Sequence, residues 1–189
     1  MLLAGLLLID VSSSQAQSET KQVLLLQSVS RGNLTLDRFT GTFRVSLDQQ
    51  AGKPINVVQI VVGPTGFVGA SDQATVDYIR AMYADRQPPH LIMTVGGPAA
   101  VFARQHRRQL FPGKPLLFAA LDQRYLRGTQ LDETETAVTV VNEIPRLVDD
   151  ILRVLPDTRE IFMITGSGAI GRFMRPELER DFARFRDRL

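Results

Sequence analysis

The chain of 189 residues is 44% hydrophobic and 22% charged, a balance typical of a folded globular protein rather than a disordered one. Its formal net charge of +2 excludes the strong positive field that concentrates nucleic acid. Cysteine is absent, which excludes disulfides, thiolate metal sites and cysteine nucleophiles, and two histidines, His90 and His106, are too few for a histidine-rich metal site.

The first residues have the pattern of an export signal. Residues 1–9 are almost wholly apolar, and the small polar stretch that follows ends at Ala16 in a sequence that approximates a signal-peptidase site. We therefore predict a signal peptide over residues 1–16 and an exported protein, periplasmic or extracytoplasmic. No Lys or Arg precedes the apolar run and Asp10 lies at its end, a departure that a start site chosen too far downstream would explain.

From Gln22 onward, short β-branched or leucine-rich runs alternate with amphipathic stretches, which indicates βα units around a parallel sheet. The runs predict six strands: Val23–Val29, Ile55–Val62, His90–Val95, Leu116–Leu121, Ala137–Val141 and Ile161–Thr165. Helices are predicted between these strands, with starts at Asn33 or Thr35, Ser71, Pro98 and Ile144, and over Ile170–Leu189, where Pro176 must kink or restart the helix.

This pattern predicts an α/β protein with a three-layer parallel sheet. Five strands and their helices, residues 22–142, are enough for one complete lobe. The remaining strand and two helices, residues 143–189, cannot close a core alone. We therefore expect them to begin a second, truncated α/β lobe, in a fragment of a longer protein.

The sequence GSGAIG, residues 166–171, matches the dinucleotide-binding pattern G-x-G-x-x-G between a predicted strand and a predicted helix. A dinucleotide fold also needs a second strand with an acidic residue about 20 residues further on, but the residues after Gly171 have a helical pattern. A glycine loop that joins a strand to a helix is the preferred interpretation. Ser167 has no later histidine with which to form a hydrolase triad. No cofactor, metal site or catalytic residue is predicted, and this chain is not expected to be an enzyme.

A basic cluster within the third predicted helix consists of Arg104, His106, Arg107 and Arg108. Such a cluster can hold an anion, but a solvated helix face is the preferred interpretation.

Polar or backbone-exposing residues follow the apolar strands at Ser28, Gly96, Gly97, Asp122 and Asn142. In a parallel α/β sheet, ligands bind outside the carboxyl ends of the strands, where helix N-termini also present free amides. These residues therefore predict a site for a small polar ligand. The alternative, that Ser28 and Asp122 only cap helices or turns, stays open.

The run DYIRAMYADRQPPHLIMTVGGPAAVFARQHRRQLFPGKPLLFAALDQRYL, residues 77–126, resembles the ABC-transporter substrate-binding-like region at the extracytoplasmic N-terminus of many bacterial sensor histidine kinases. The segments VLLLQSVSRGN, VNEIPRLVDDILRVLPDT and RFMRPELERDFARF are also similar to that family. The resemblance extends over residues 22–189 and contains no catalytic motif.

The resemblance implies a periplasmic-binding-protein-like fold, in which two α/β lobes enclose a ligand cleft at a hinge. Many family members place aromatic residues just after the first strand, where this chain has Val29 and Thr35. Carried over by position, the ligand-binding residues would be Ser28, Gly96, Gly97, Pro98 and Asp122 on the first lobe and Asn142 at the crossover to the second.

Two function classes follow from the resemblance. In the first, the chain is the ligand-sensing region of a two-component sensor histidine kinase, tethered to the inner membrane, in which cleft closure shifts a conformational population. In the second, it belongs to the substrate-binding component of an ABC importer; a fragment of an NAD-binding enzyme is a distant third. The expected partner is a small molecule of unknown identity, without nucleic acid, and with membrane contact only through a missing C-terminal part. A homodimer of the parent protein stays open.

The coding sequence beyond residue 189 would separate the two main classes. A stretch of about 20 apolar residues followed by kinase motifs supports the sensor. A stop codon after a second lobe supports the importer component.

Overall fold

The computed structural model describes residues 20–28, 33–62 and 71–189. The predicted signal peptide, residues 1–16, lies outside the described residues. The described chain contains one sheet, whose strands are β1 (Lys21–Gln27), β2 (Ile55–Val61), β3 (Leu91–Val95), β4 (Leu116–Asp122) and β5 (Glu135–Val140). The helices are α1 (Leu34–Ala51), α2 (Asp72–Met82), α3 (Gly97–Leu110), α4 (Ile144–Val154) and α5 (Ala169–Phe182), with short 3-10 turns at Gln123–Leu126 and Ala183–Phe185.

All neighbouring strands are parallel, in the order β2-β1-β3-β4-β5. Successive side chains of a strand point to opposite faces, so Leu24 and Leu25 of β1 enter two different apolar clusters. The cluster around Leu24 includes residues of α2 and α3, whereas α1 packs against the cluster around Leu25. The α/β fold with three layers and a parallel sheet is therefore confirmed.

Local capping explains where the helices begin and end. The side chain of Asn33 accepts a hydrogen bond from the backbone of Leu36 at 3.1 Å, and Ser71 accepts one from Ala74 at 3.3 Å, so both α1 and α2 begin at conventional caps. Helix α1 ends at Gly52, whose φ of 61° is the left-handed conformation that glycine adopts at low cost.

The prediction of a sixth strand over Ile161–Thr165 is wrong. This segment forms no strand, and Phe162 and Ile164 are 86% and 96% exposed. A strand needs hydrogen-bonding partners on a neighbouring strand, and the described residues 143–189 contain only helices, turns and irregular chain. The segment does not join the first sheet either, and a second lobe stays a prediction.

Pro176 does not restart the last helix, because α5 runs continuously from Ala169 to Phe182. Helix α5 contacts α4 and also α3, which packs on the sheet. Residues 143–189 therefore lie against the region that contains the sheet. Phe173 and Asp181 of α5 contact Tyr125 and Arg124, which follow β4 at the carboxyl edge of the sheet, where the sequence predicts a ligand.

Candidate ligand site

The carboxyl ends of β1, β3, β4 and β5 form one continuous edge, and the predicted site residues follow these ends. Ser28 comes directly after β1 and donates its backbone N–H to Val95 of β3 at 3.0 Å. Gly96 donates to Ala119 of β4 at 3.1 Å. The fold therefore brings residues that are far apart in sequence to neighbouring positions along this edge.

Ser28 caps the N-terminus of α3. Its Oγ accepts a hydrogen bond from the backbone N–H of Ala99 at 2.8 Å, in a buried position. A Cβ at Gly96 would lie 2.9 Å from that Oγ, and the φ of Gly96 is 88°, so both space and backbone conformation require glycine. Pro98 occupies the first turn of α3, where a missing N–H removes no helical hydrogen bond. The capping role left open from the sequence is therefore present at Ser28.

Tyr125 covers the beginning of α3. A Cβ at Gly97 would collide with the Tyr125 ring, so the glycine permits the aromatic side chain to approach the helix. The ring stacks on Phe173 of α5, with centroids 3.7 Å apart and planes at 14°. Residues Gly97, Tyr125 and Phe173 are thus in successive contact, and α5 is joined to the edge through them.

The hydroxyl of Tyr125 is buried and has no hydrogen-bond partner among the described residues. Burial raises the pKa of Tyr125 above its ordinary value, and the negative charge of Asp122 raises it further. The phenol therefore stays neutral at physiological pH and contributes its ring, rather than a charge, to the edge.

Asp122 lies at the end of β4 and already has several donors. Its Oδ1 accepts from the backbone N–H of Arg124 at 2.9 Å, which caps the 3-10 turn. Its Oδ2 accepts from Nδ2 of Asn142 at 2.8 Å and from Nη1 of Arg124 at 3.3 Å. The structure thus brings Asp122 and Asn142 together. Ligand binding by Asp122 stays a prediction, since these contacts give its carboxylate a structural role.

Arg124 connects this cluster to α5. Its side chain is only 7% exposed, and Nη2 donates to Oδ2 of Asp181 at 2.9 Å and to the backbone oxygen of Asn142 at 2.8 Å. Nε lies 4.0 Å from Oε2 of Glu177, which also accepts from Nη1 of Arg127 at 2.6 Å. Three carboxylates, those of Asp122, Glu177 and Asp181, therefore surround one buried guanidinium.

Sequence reasoning missed Arg124, Tyr125 and Phe173. The usable signal for Phe173 is its position one residue away from the stripe that Met174, Leu178, Phe182 and Phe185 form. An aromatic residue beside a buried stripe indicates a second contact surface on the same helix. Arg124 carried no such signal, because its partners on α5 lie more than fifty residues away along the chain.

The basic cluster on α3 is not a solvated face throughout. His106 is buried, with its ring 4.8 Å from that of Phe102 and Nε2 3.7 Å from Oδ2 of Asp72 on α2. Arg104 donates two hydrogen bonds of 2.9 Å to Glu135, so it forms a bidentate ion pair. The expectation of a solvated face is wrong for His106, because this position of α3 packs against α2.

A cavity of about 580 Å³ lies beside this pair, between α3 and the β4–β5 crossover. Its apolar floor includes Phe118, Leu121 and Leu126, and its rim carries Arg104, Arg108 and Glu135. None of the predicted ligand-binding residues lines this cavity, although Tyr125, which contacts Gly97, does.

The GSGAIG segment does not have the setting that a dinucleotide fingerprint requires. Gly168 caps α5, but the preceding residues form no strand of a sheet. A Cβ at Gly171 would collide with the backbone oxygen of Gly166, so close approach of the chain explains the last glycine. This geometry favours the glycine-loop interpretation over a dinucleotide site.

Residues 20–28, 33–62 and 71–189 lack two further features. No three His, Asp or Glu side chains converge there in a way that could hold a metal ion. None of the helices in that part of the chain combines the length and apolar character needed to cross a bilayer.

Comparison with known proteins identifies a related fold. No protein-family profile and no curated protein matches the chain. The chain is similar to a crystal structure of a conserved domain protein from Vibrio cholerae O1 biovar El Tor, with a TM-score of 0.62 and 18% identity. The match covers 88% of this chain and 54% of the Vibrio chain, so this chain spans about half the length of that protein. At this identity, the similarity shows a shared fold alone.

Proposed function

We propose that this chain is the extracytoplasmic region of a sensor histidine kinase and that it binds a small ligand at the carboxyl edge of its sheet. The observation that carries the proposal is that the carboxyl ends of β1, β3 and β4 lie side by side, and that α5 contacts Arg124 and Tyr125, which follow β4 at that edge. Ligands of parallel α/β proteins bind outside the carboxyl ends of the strands. The family resemblance over residues 22–189 supports export and a sensing role.

Signalling would follow from a difference in affinity between two conformations. A ligand held between the sheet edge and residues 143–189 binds better when these two regions are close together, so it raises the population of the closed arrangement. In a sensor, that shift would be transmitted to the kinase across the membrane. In an ABC importer the same closure would instead present the loaded protein to its transporter.

The first test is a thermal-shift screen of the purified chain against amino acids, sugars and small organic acids. A compound present at about 100 times its Kd stabilises the folded state by about 2.7 kcal/mol. We expect at least one compound to raise Tm in a concentration-dependent way. The absence of any stabilising compound from these three classes would contradict a small-ligand site of this kind.

The second test locates the binding. Ser28→Ala removes the Oγ that caps α3 at the candidate edge, and Ser167→Ala removes an exposed hydroxyl in the glycine loop. Calorimetry should show weaker binding of the compound from the screen to Ser28→Ala and unchanged binding to Ser167→Ala. Equal affinities in both variants would place the compound elsewhere.

A third experiment separates the sensor from the importer component. In the full-length parent protein, the same compound should change the rate of autophosphorylation if the parent is a kinase. Uptake of the compound that depends on this gene, with no kinase motif encoded downstream, would support the importer instead.

A further inference from the structure

We propose that α5 is a latched lid over the candidate ligand edge, and that Arg124 is the shared cation of the latch. This inference rests on the proposed function in one respect, since the edge matters only if a ligand binds there. Its geometric basis is independent of any ligand. The latch consists of Arg124, Tyr125 and Arg127 on the sheet side and of Phe173, Glu177 and Asp181 on α5.

The ionic half of the latch can separate without leaving a buried charge unpaired. Arg124 contacts Asp181 across the joint between the sheet side and α5, but it also contacts Asp122 at 3.3 Å on its own side. Glu177 contacts Arg127 across the joint and forms a second ion pair with Arg180 within α5. An isolated buried ion is the main energetic obstacle to breaking such contacts. Because Arg124 and Glu177 each keep a partner on their own side, this obstacle is reduced.

Helix α5 is otherwise shallowly packed. Its buried residues are Glu177 and Leu178, and Glu177 belongs to the latch itself. By comparison, α3 buries six residues and has an aromatic side chain in the main core. Elements with few buried apolar contacts open at low free energy, independently of the global unfolding of the protein. Within this chain, the packing therefore favours opening of α5 while the sheet stays folded.

In its closed position the lid covers the ring of Tyr125, which itself lies over the beginning of α3. Tyr125 lies against Gly97 and Phe173 stacks on Tyr125, so the aromatic pair occupies the space directly beside the candidate site. Movement of α5 withdraws Phe173 and exposes the face of Tyr125 on which it stacks, and return of α5 encloses what has entered there. Arg124 is a positioning residue in this scheme, because it acts on the site through α5.

The test is hydrogen exchange of the full chain, read by mass spectrometry without any ligand. The double variant Glu177→Gln/Asp181→Asn removes both α5 carboxylates that face Arg124. Glu179→Gln/Asp187→Asn is the matched control, because it removes two exposed carboxylates from the same part of the chain. We expect amides of α5 to exchange about tenfold faster or more in the first variant, with β1 and β3 unchanged. The control should behave as the parent chain.

Phe173→Leu tests the aromatic half separately, since it keeps every ion pair while removing the ring stack. It should also accelerate exchange in α5 selectively. Equal acceleration in α5 and in the sheet would show that the joint is an inseparable part of the global fold, and would overturn the latch. Unchanged exchange in both variants would overturn it too.

Failure of the latch and failure of the proposed function give different results. Selective opening of α5 in a chain that no screened compound stabilises would support the latch and contradict the ligand site. A ligand that binds at Ser28 in a chain whose α5 never opens independently would support the ligand site and contradict the latch.

Discussion

Residues 20–142 and residues 143–189 contain comparable amphipathic helices, but they bury their apolar side chains to different extents. In the first region, Leu24, Leu25 and Phe118 are completely buried between sheet and helices. In the second region, Val154 and Phe162 are 76% and 86% exposed. The comparison shows that a helical pattern is enough to form a helix, whereas burial requires a second layer to pack against.

The largest expected effect is a difference between the two regions in how much a truncated side chain lowers the free energy of unfolding. Leu24→Ala removes a fully buried side chain from the central part of the sheet and should lower the free energy of unfolding by about 2–5 kcal/mol. Val154→Ala removes a largely exposed side chain from α4 and should change it by less than about 0.5 kcal/mol. Urea denaturation measures both values. Similar losses in the two variants would contradict the difference in packing.

A second prediction compares two glycines, one against the ring of Tyr125 and one on the exposed side of α1. Gly97→Ala places a methyl group into the Tyr125 ring and should destabilise the protein by about 1–3 kcal/mol. Gly41→Ala adds a methyl group in α1, where no atom lies within 4 Å, and should stabilise it by about 0.5–1 kcal/mol. Thermal unfolding gives the sign of each change. A neutral Gly97→Ala would show that Tyr125 does not rest on α3.

The smallest expected effect concerns alkaline pH. Because burial raises the pKa of Tyr125 in the folded state, the unfolded chain loses this proton first as the pH rises. The associated stability is fully present below the ordinary tyrosine pKa of about 10 and is lost as the pH rises through the folded value. Tyr125→Phe keeps the ring and removes this titration, so its stability should decline less steeply above about pH 10. An identical decline in parent and variant, measured by urea denaturation, would contradict a buried phenol.

Local patterns predicted most of the fold, because periodicity, caps and glycine positions are local properties. The starts of α1 at Asn33 and α2 at Ser71 depend on hydrogen bonds between residues three positions apart in the sequence. The error at Ile161–Thr165 has a non-local cause, since strand formation depends on partner strands that residues 143–189 do not contain. Apolar composition alone could not distinguish a strand from an unpaired segment.

The candidate site was predictable only in the part that follows from the strand topology. Strand ends placed Ser28, Gly97 and Asp122 on one edge, because topology alone brings the carboxyl ends of parallel strands together. The joint formed by Arg124 and Phe173 was not predictable, since it depends on where α5 packs. His106 was misread for a related reason: its basic neighbours suggested solvent, whereas the packing of α2 on α3 buries it.

Ligand binding at the carboxyl edge of the sheet is tested by hydrogen exchange of the parent chain with the stabilising compound from the thermal-shift screen. We expect the compound to slow exchange at the beginning of α3 and in the 3-10 turn that carries Arg124 and Tyr125. We also expect slower exchange in α5, which we propose closes over the same edge. Protection confined to the cavity beside Arg104 and Glu135, with none at the carboxyl ends of the strands, would contradict a ligand site at this edge.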